Sequence, residues 1–452
     1  MNNTAIPGPR GLKVLGILPG LYFDAIGTFR RMRARYGNLV EFPLPGHKGY
    51  LISDPELVQE VLHAEKSSYG KGQHTETMKE TFGNGLLTAD GGVWARQRKL
   101  LQPFFQKGYI GKWHHIVKEE TERTLNEWTD KAKTGEHFDV CLSMRALIPR
   151  IMGRIMFGEK VPQSLSDRVV RSLTVINDNM FQQLFRRMIL KGPLSFITTP
   201  GMQKFKRANA EYDKLIGTVL AMDSTSSDAS LISLLRQAHH VDTGEVMSDQ
   251  QLRDEVATFF FAGQETTINC LSWTLYYLAL HSEINDRVAD ETNQVANGNS
   301  LTYEALDSLK FTKNVVYESL RLRSPVYAIE RDPKSSSKQL DGCPIRPHSL
   351  VLLAQSVVHR HPDHWDQPER FNPDRFETGQ QRLRHRFAFF PFGGGSRICI
   401  GMQLAMMEMM TFIATAAQSY QFELAQTKPV RDRIALTLRP RSGVFIRVRK
   451  RK

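Results

Sequence analysis

Apolar residues recur at helical spacing along most of the chain. Residues 55–63 follow Asp54 as N-cap, with Pro55 in the first turn, which predicts a helix. Residues 117–128 mix apolar positions with many charges, as a surface helix does. Residues 248–281 open with Ser-Asp and run through Leu252, Val256, Phe259 and Phe260, predicting a long helix, and residues 309–322 predict another. Residues 402–417 follow Gly401 and are rich in Met, Leu and Ala, so a deeply buried helix is expected. Strand-like patterning is rarer. Residues 39–42 and 50–53 predict a hairpin through 45–48, residues 339–353 a strand–turn–strand unit around Asp341-Gly342, and residues 435–438 and 443–448 terminal β structure. The polar stretch 223–228 reads as a loop, and no repeat or long low-complexity linker interrupts the chain. The expected class is mainly α with a small β portion, in a single domain over residues 1–452.

The chain has 452 residues, 41% of them hydrophobic, enough for a large core. Its four cysteines, Cys141, Cys270, Cys343 and Cys399, are far apart with no CxxC pair. That pattern excludes a disulfide-stapled scaffold and fits a reducing cytoplasm. The apolar run at residues 12–23 is broken by Lys13, Gly16, Pro19 and Gly20, short of the roughly 20 continuous apolar residues of a membrane span. No transmembrane segment and no secretory signal are expected. The net charge of +13 raises nucleic-acid binding, but the basic residues are scattered and the densest run, 447–452, is a tail. No nucleic-acid partner is expected. The tail is read as solvated, or as facing an acidic protein or an anionic membrane surface.

Four segments carry candidate chemistry. Phe392-Gly-Gly-Gly-Ser-Arg-Ile-Cys-Ile-Gly401 places Cys399 at the end of a glycine-rich loop, just before a buried helix. Donors at a helix N-terminus stabilise a thiolate. A lone thiolate does not make a zinc site, but suffices for a heme iron, whose porphyrin supplies four nitrogens. By itself the loop also fits a turn with a buried thiol. Glu318 and Arg321 share a helix face at i and i+3, a spacing common to surface ion pairs. Ala262-Gly-Gln-Glu-Thr-Thr267 puts poor helix formers in the middle of the long helix, as an ordinary kink also would. Trp94 and Arg98 lie four apart on one face.

The decapeptide 392–401 matches the heme-binding signature of the cytochrome P-450 superfamily, Phe-x-x-Gly-x-Arg-x-Cys-x-Gly, at every fixed position. The chain resembles that family, in its soluble bacterial type, from Ile6-Pro-Gly-Pro-Arg-Gly11 to Leu438-Arg-Pro440. The segment from His359 to Pro368 resembles the family's HRxPxxWxxP stretch. The resemblance implies the cytochrome P-450 fold, with heme b between the oxygen-binding helix and the helix after the Cys loop. It implies Cys399 as axial iron ligand, with Phe392 in the same loop. Trp94, Arg98, Arg331 and Arg397 occupy propionate-binding positions. Glu318, Arg321 and Arg375, the last from Phe371-Asn-Pro-Asp-Arg375, form a structural network. Glu265 and Thr266 form an acid–alcohol pair that relays the protons oxygen activation needs. Glu stands where Asp is the commoner residue, and the anchor helix of the family's microsomal members is not expected.

The activity so implied is that of a monooxygenase inserting one oxygen atom of O2 into an apolar small molecule, by hydroxylation or epoxidation, in natural-product or lipid metabolism. Phe259, Phe260, Ala262, Val326 and Ile329 are expected to line the substrate pocket, with residues 67–87 and 180–202 as its lid. A heme-thiolate isomerase or peroxygenase, and a heme sensor, share Cys399 but do not need the Glu265–Thr266 relay. No fused reductase is expected, but a separate ferredoxin or flavodoxin with its NAD(P)H-dependent reductase is. Arg382, Arg384, His385 and Arg386, with Arg96 and Lys99, are its expected basic docking patch. A cytoplasmic monomer is expected, with peripheral membrane association as the alternative location.

Overall fold

The structure is a computed structural model. It describes residues 5–64, 68–72, 75–159, 161–189, 199–223, 230–239, 244–334 and 339–451. Its class is mainly α with a small β portion.

The organising element is the long helix Asp249–Leu280, of 32 residues. Ser248 caps it, its hydroxyl accepting from the Gln251 amide at 3.2 Å. Most of its side chains are buried on every face, as expected of a helix at the centre of a large core. Helices Val140–Phe157, Lys310–Leu322 and Met402–Ser419 pack against it. The last of these is buried along nearly its whole length, as its Met, Leu and Ala content predicts.

The principal sheet has five strands in the order Leu39–Leu44, His47–Ile52, Leu350–Leu353, Ile329–Pro333, Tyr69–Gly70. Only the His47–Ile52/Leu350–Leu353 pair is parallel, with Leu51 opposite Leu352. A second sheet joins Phe138–Asp139, Phe445–Lys450 and Tyr420–Leu424. The hairpin of Asp432–Ile434 and Leu438–Pro440 returns towards the middle of the long helix.

Several sequence boundaries move. The first hairpin turns on Pro45 and Gly46 alone, with Gly46 at φ 76°, so both strands extend to the turn. The 339–353 unit divides. Gln339–Leu340 and Cys343–Pro344 form a small ladder, while Leu350–Leu353 joins the large sheet. Residues 435–437 form a tip rather than a strand, and pairing begins at Leu438. The helix expected over 117–128 extends over His114–Thr134, and the loop expected at 223–228 falls on residues 224–228, outside the described ones. Among the described residues, no helix is long and apolar enough to cross a membrane.

Candidate active site

The Cys loop is built by its glycines. Gly393 and Gly395 have φ of 73° and 63°, in the left-handed region that side chains disfavour, and a Cβ on Gly395 would strike the Leu62 carbonyl. The loop closes on itself where the Cys399 amide donates to the Phe392 carbonyl at 2.9 Å. Arg98 ties it to the helix Gly91–Leu101 by donating to the Ile398 carbonyl at 2.9 Å. The Arg397 guanidinium lies 4.3 Å from the Trp94 ring centroid and pairs with Asp90, the N-cap of that helix.

Cys399 is exposed by surface area, yet burial is the leading influence on its thiol and pushes its pKa up. The Gly401 amide and the Arg98 guanidinium oppose this and favour the thiolate. The side chain is thus accessible at its surface while closely surrounded by protein. The expected stabilisation of a thiolate at the helix N-terminus is therefore present but weaker than burial.

The long helix carries the second group of candidate residues. Ala262, Gly263, Glu265 and Thr266 are half-buried within a run that is otherwise buried. The spacing of Ala262, Gly263 and Thr266 puts them on one face. Thr266 Oγ1 donates to the Ala262 carbonyl at 2.9 Å, the i−4 back-bond open to a helical threonine. Glu265 turns towards the terminal hairpin. Its Oε1 accepts from Thr437 Oγ1 at 3.1 Å and Asn269 Nδ2 at 3.2 Å, and lies 3.8 Å from Arg439. Arg439 is buried and also pairs with Asp178.

A third feature was not flagged in the sequence. Lys71 sits among Arg331, Arg397, Asp90 and Glu330. Burial, then Arg397 and Arg331, push its pKa down to about 7, and burial with Arg397 pushes Arg331 down to about 10. Cations that depress one another in this way suit an anionic ligand. No local motif marks Lys71, because its neighbours come from remote stretches of the chain.

Glu318 and Arg321 are fully buried and joined at 2.6 and 2.8 Å. Arg375 Nε lies 3.4 Å from Glu318, which also accepts from the Asn372 amide at 2.8 Å. Arg321 donates further to the carbonyls of His359, Pro368 and Arg370. The network thus ties Lys310–Leu322 to residues 359–375.

Of the expected pocket residues, Ala262 and Ile329 are half-buried and Val326 is exposed. Phe259 packs on Phe105, with centroids 5.1 Å apart. Phe260 is corrected: it is fully buried and stacked on Phe157 at 5.0 Å, because two residues along a helix turn it away from the face of Ala262. Arg384, of the expected docking patch, is half-buried. It lies over Trp365 at 4.4 Å and donates to the Arg375 carbonyl, while Arg96, Lys99, Arg382 and Arg386 are exposed. Of the expected lid, residues 67, 73–74 and 190–198 lie outside the described ones, and its remainder includes the helix Thr75–Phe82.

The loop after that helix is pinned by two carboxylates of the long helix. The Asn84 amide donates to Asp254 at 2.8 Å and the Leu86 amide to Glu255 at 2.9 Å. Burial pushes the Glu255 pKa up to about 8, against the Leu86 hydrogen bond. Between the ordinary carboxylate range and about 8, the folded chain holds a proton that the unfolded chain has released, so stability falls as pH rises through that window. Glu255→Gln should match wild type at about pH 5 and melt at a higher temperature at about pH 8.5, as thermal unfolding at both pH values would show.

Residues 6–446 match the sequence model of the cytochrome P-450 family. The chain belongs to the cytochrome P-450 family. It is 30% identical over 420 residues to the cyclooctat-9-en-7-ol 5-monooxygenase of Streptomyces melanosporofaciens, covering 92% of this chain and 89% of that relative. It is 28% identical over 408 residues to the pentalenene oxygenase of Streptomyces avermitilis, covering 89% and 88%. The crystal structure of the cytochrome P-450DA heme domain superposes with a TM-score of 0.88 over 99% of this chain and 98% of that one. At 23% identity it shares the fold.

The cofactor of a cytochrome P-450 is heme b, and the residues present fit it. Among the described residues no group of three or more His, Cys, Asp or Glu makes a protein-only metal site. A single accessible thiol is a sufficient donor only where a macrocycle completes the coordination. The Lys71, Arg331 and Arg397 cluster matches the macrocycle's two carboxylates.

Proposed function

We propose that this heme-dependent monooxygenase hydroxylates a cyclic terpenoid. The observation carrying this reading is that the chain's relatives include two enzymes named for such substrates, and the apolar residues Phe259, Ala262, Val326 and Ile329 are assigned to the pocket that would take one. In this reading Cys399 holds the iron and Phe392 fixes the Cys loop through its carbonyl. Lys71, Trp94, Arg98, Arg331 and Arg397 hold the propionate edge. When bound, the heme supplies dioxygen activation and C–H oxidation. The protein supplies orientation, dryness and protons.

The proton route is assigned to Glu265 and Thr266. The Thr266 hydroxyl gives its hydrogen to the Ala262 carbonyl, which leaves its lone pairs facing the cleft. Glu265 is held by Thr437, Asn269 and Arg439, so it must swing from Arg439 to reach Thr266. Thr266→Ala should keep its heme but lose product per NAD(P)H consumed on the order of tenfold, with peroxide formed instead. The loss is smaller than the roughly 100-fold or more for a lost general acid, because water replaces the hydroxyl. Unchanged coupling would remove Thr266 from the route.

Electrons are assigned to a separate ferredoxin or flavodoxin docking at Arg96, Lys99, Arg382 and Arg386, and the protein is read as a cytoplasmic monomer. The substrate class is tested by titrating heme-loaded protein with sesquiterpene and diterpene hydrocarbons and alcohols. A shift of the heme absorption band, and a hydroxylated product with a surrogate ferredoxin and reductase, are expected. Shifts with linear fatty acids alone would replace the terpenoid assignment.

A further inference from the structure

Away from the cleft, the N-terminal helix Leu18–Tyr36 and the terminal hairpin enclose a groove of about 720 Å³, within the size range of small-molecule sites, roughly 300–1,000 Å³. The helix breaks at Asp24, whose φ and ψ are −157° and 70°, and Phe23 is left 82% exposed at the groove's lip. Tyr22, Ile26, Ile434 and Leu438 continue this apolar side.

The rest of the lining is mainly cationic. Arg30, Arg323, Arg360, Arg433 and Arg441 form it, against three carboxylates, Asp24, Glu369 and Asp432. Those carboxylates are already engaged. Asp24 accepts from the Gly27 amide at 2.9 Å and pairs with Arg31 at 3.1 Å. Glu369 bridges Arg30 at 3.1 Å and Arg360 at 3.3 Å, and Asp432 pairs with Arg323 at 2.8 Å. Among the described residues, the side chains of Arg433 and Arg441 have no ion-pair or hydrogen-bond partner and are exposed. On the floor, Arg30, Arg323 and Arg360 share the two carboxylates Glu369 and Asp432, which leaves a modest excess of positive potential. Concave, low-dielectric walls focus such a potential on a bound anion.

We propose that this groove binds an anionic amphiphile, its carboxylate or phosphate on Arg433 and Arg441 and its apolar body along Tyr22, Phe23 and Ile26. Guanidinium forks suit both head groups. The site is separate from the cleft, although the two share the hairpin: Arg433 and Ile434 line the groove, while Thr437 and Arg439 reach Glu265.

The test uses heme-loaded protein and a photoreactive analogue of dodecanoic acid, with cross-linked peptides mapped by mass spectrometry. Cross-links in residues 22–27 and 432–441 are expected, with no accompanying shift of the heme band. Dodecanoate and dodecyl phosphate should bind at least tenfold tighter than dodecanol or inorganic phosphate. Arg433→Glu/Arg441→Glu should weaken binding at least tenfold, and the milder Arg433→Gln/Arg441→Gln pair severalfold, both at wild-type heme content. A second arm separates the sources of the ligand. Sedimentation with phosphatidylglycerol but not phosphatidylcholine vesicles, lost in the charge-reversed variant, identifies a membrane headgroup; binding of free acids without such sedimentation identifies a soluble ligand. Cross-links confined to the cleft, binding indifferent to both arginine pairs, or no binding in either arm would overturn the proposal.

Discussion

Replacing Cys399 by serine should give a folded protein whose reduced, CO-bound spectrum lacks the thiolate band and whose monooxygenase activity is lost. The loop is fixed by contacts that the substitution leaves intact: the Cys399 amide to the Phe392 carbonyl, the Arg98 guanidinium to the Ile398 carbonyl, and the backbones of Gly393 and Gly395. What changes is the donor. Burial pushes the thiol pKa up by more than the Gly401 amide and the Arg98 guanidinium lower it, and a bound cation offsets the remainder by deprotonating the thiol. A serine hydroxyl starts from a far higher pKa and stays protonated. No other cysteine is placed to substitute. Cys141 and Cys270 are buried, with pKa values pushed up to about 12, and Cys343 lies in the small ladder with Gln339–Leu340. Part of the heme should remain, held at the propionate edge by Lys71, Arg331 and Arg397. Absorption spectra of the reduced, CO-bound variant decide the matter: a persisting thiolate band would exclude Cys399 as the ligand.

What the sequence disclosed depended on how local its signal was. The Cys loop was legible because its constraint lies within ten consecutive residues, where positive φ at Gly393 and Gly395 requires glycine. The long helix was legible because its burial leaves a continuous apolar pattern. Lys71 was not, since its meaning comes from Arg331 and Arg397, each distant in the chain and ordinary when read alone. Arg439 was not, because the contact with Glu265 depends on how the terminal hairpin docks. The surroundings of Arg384 and Phe260 were missed for a complementary reason. A run of basic residues does not reveal that one member lies over Trp365, nor a run of phenylalanines which ring turns from the cleft. The hairpin boundaries moved because turn length, set by Gly46, is decided by strand pairing rather than by alternation.

Glu318→Ala should yield little or no heme-loaded protein. The carboxylate is fully buried and accepts two hydrogen bonds from Arg321 and one from the Asn372 amide, with Arg375 at 3.4 Å. Its removal strands the Arg321 charge where water cannot reach it. Breaking such a pair costs about 3–5 kcal/mol, a large share of the roughly 5–15 kcal/mol that holds a domain together. The damage should extend beyond the pair, because Arg321 also anchors the carbonyls of His359, Pro368 and Arg370, in the stretch leading to the Cys loop. Two companion variants separate charge from architecture. Glu318→Gln keeps an acceptor for the Asn372 amide and should recover part of the folded yield. Glu318→Leu with Arg321→Met removes the stranded charge, and if the pair were merely an ion pair in a core, stability would return. Here it should not return fully, because three carbonyls lose their donor and an unmet buried carbonyl costs about 1–3 kcal/mol. Soluble yield, heme per chain and thermal midpoint, measured across the three variants, provide the comparison. Full recovery in the apolar double variant would reduce the network to charge neutralisation, and normal yield of Glu318→Ala would remove its structural role altogether.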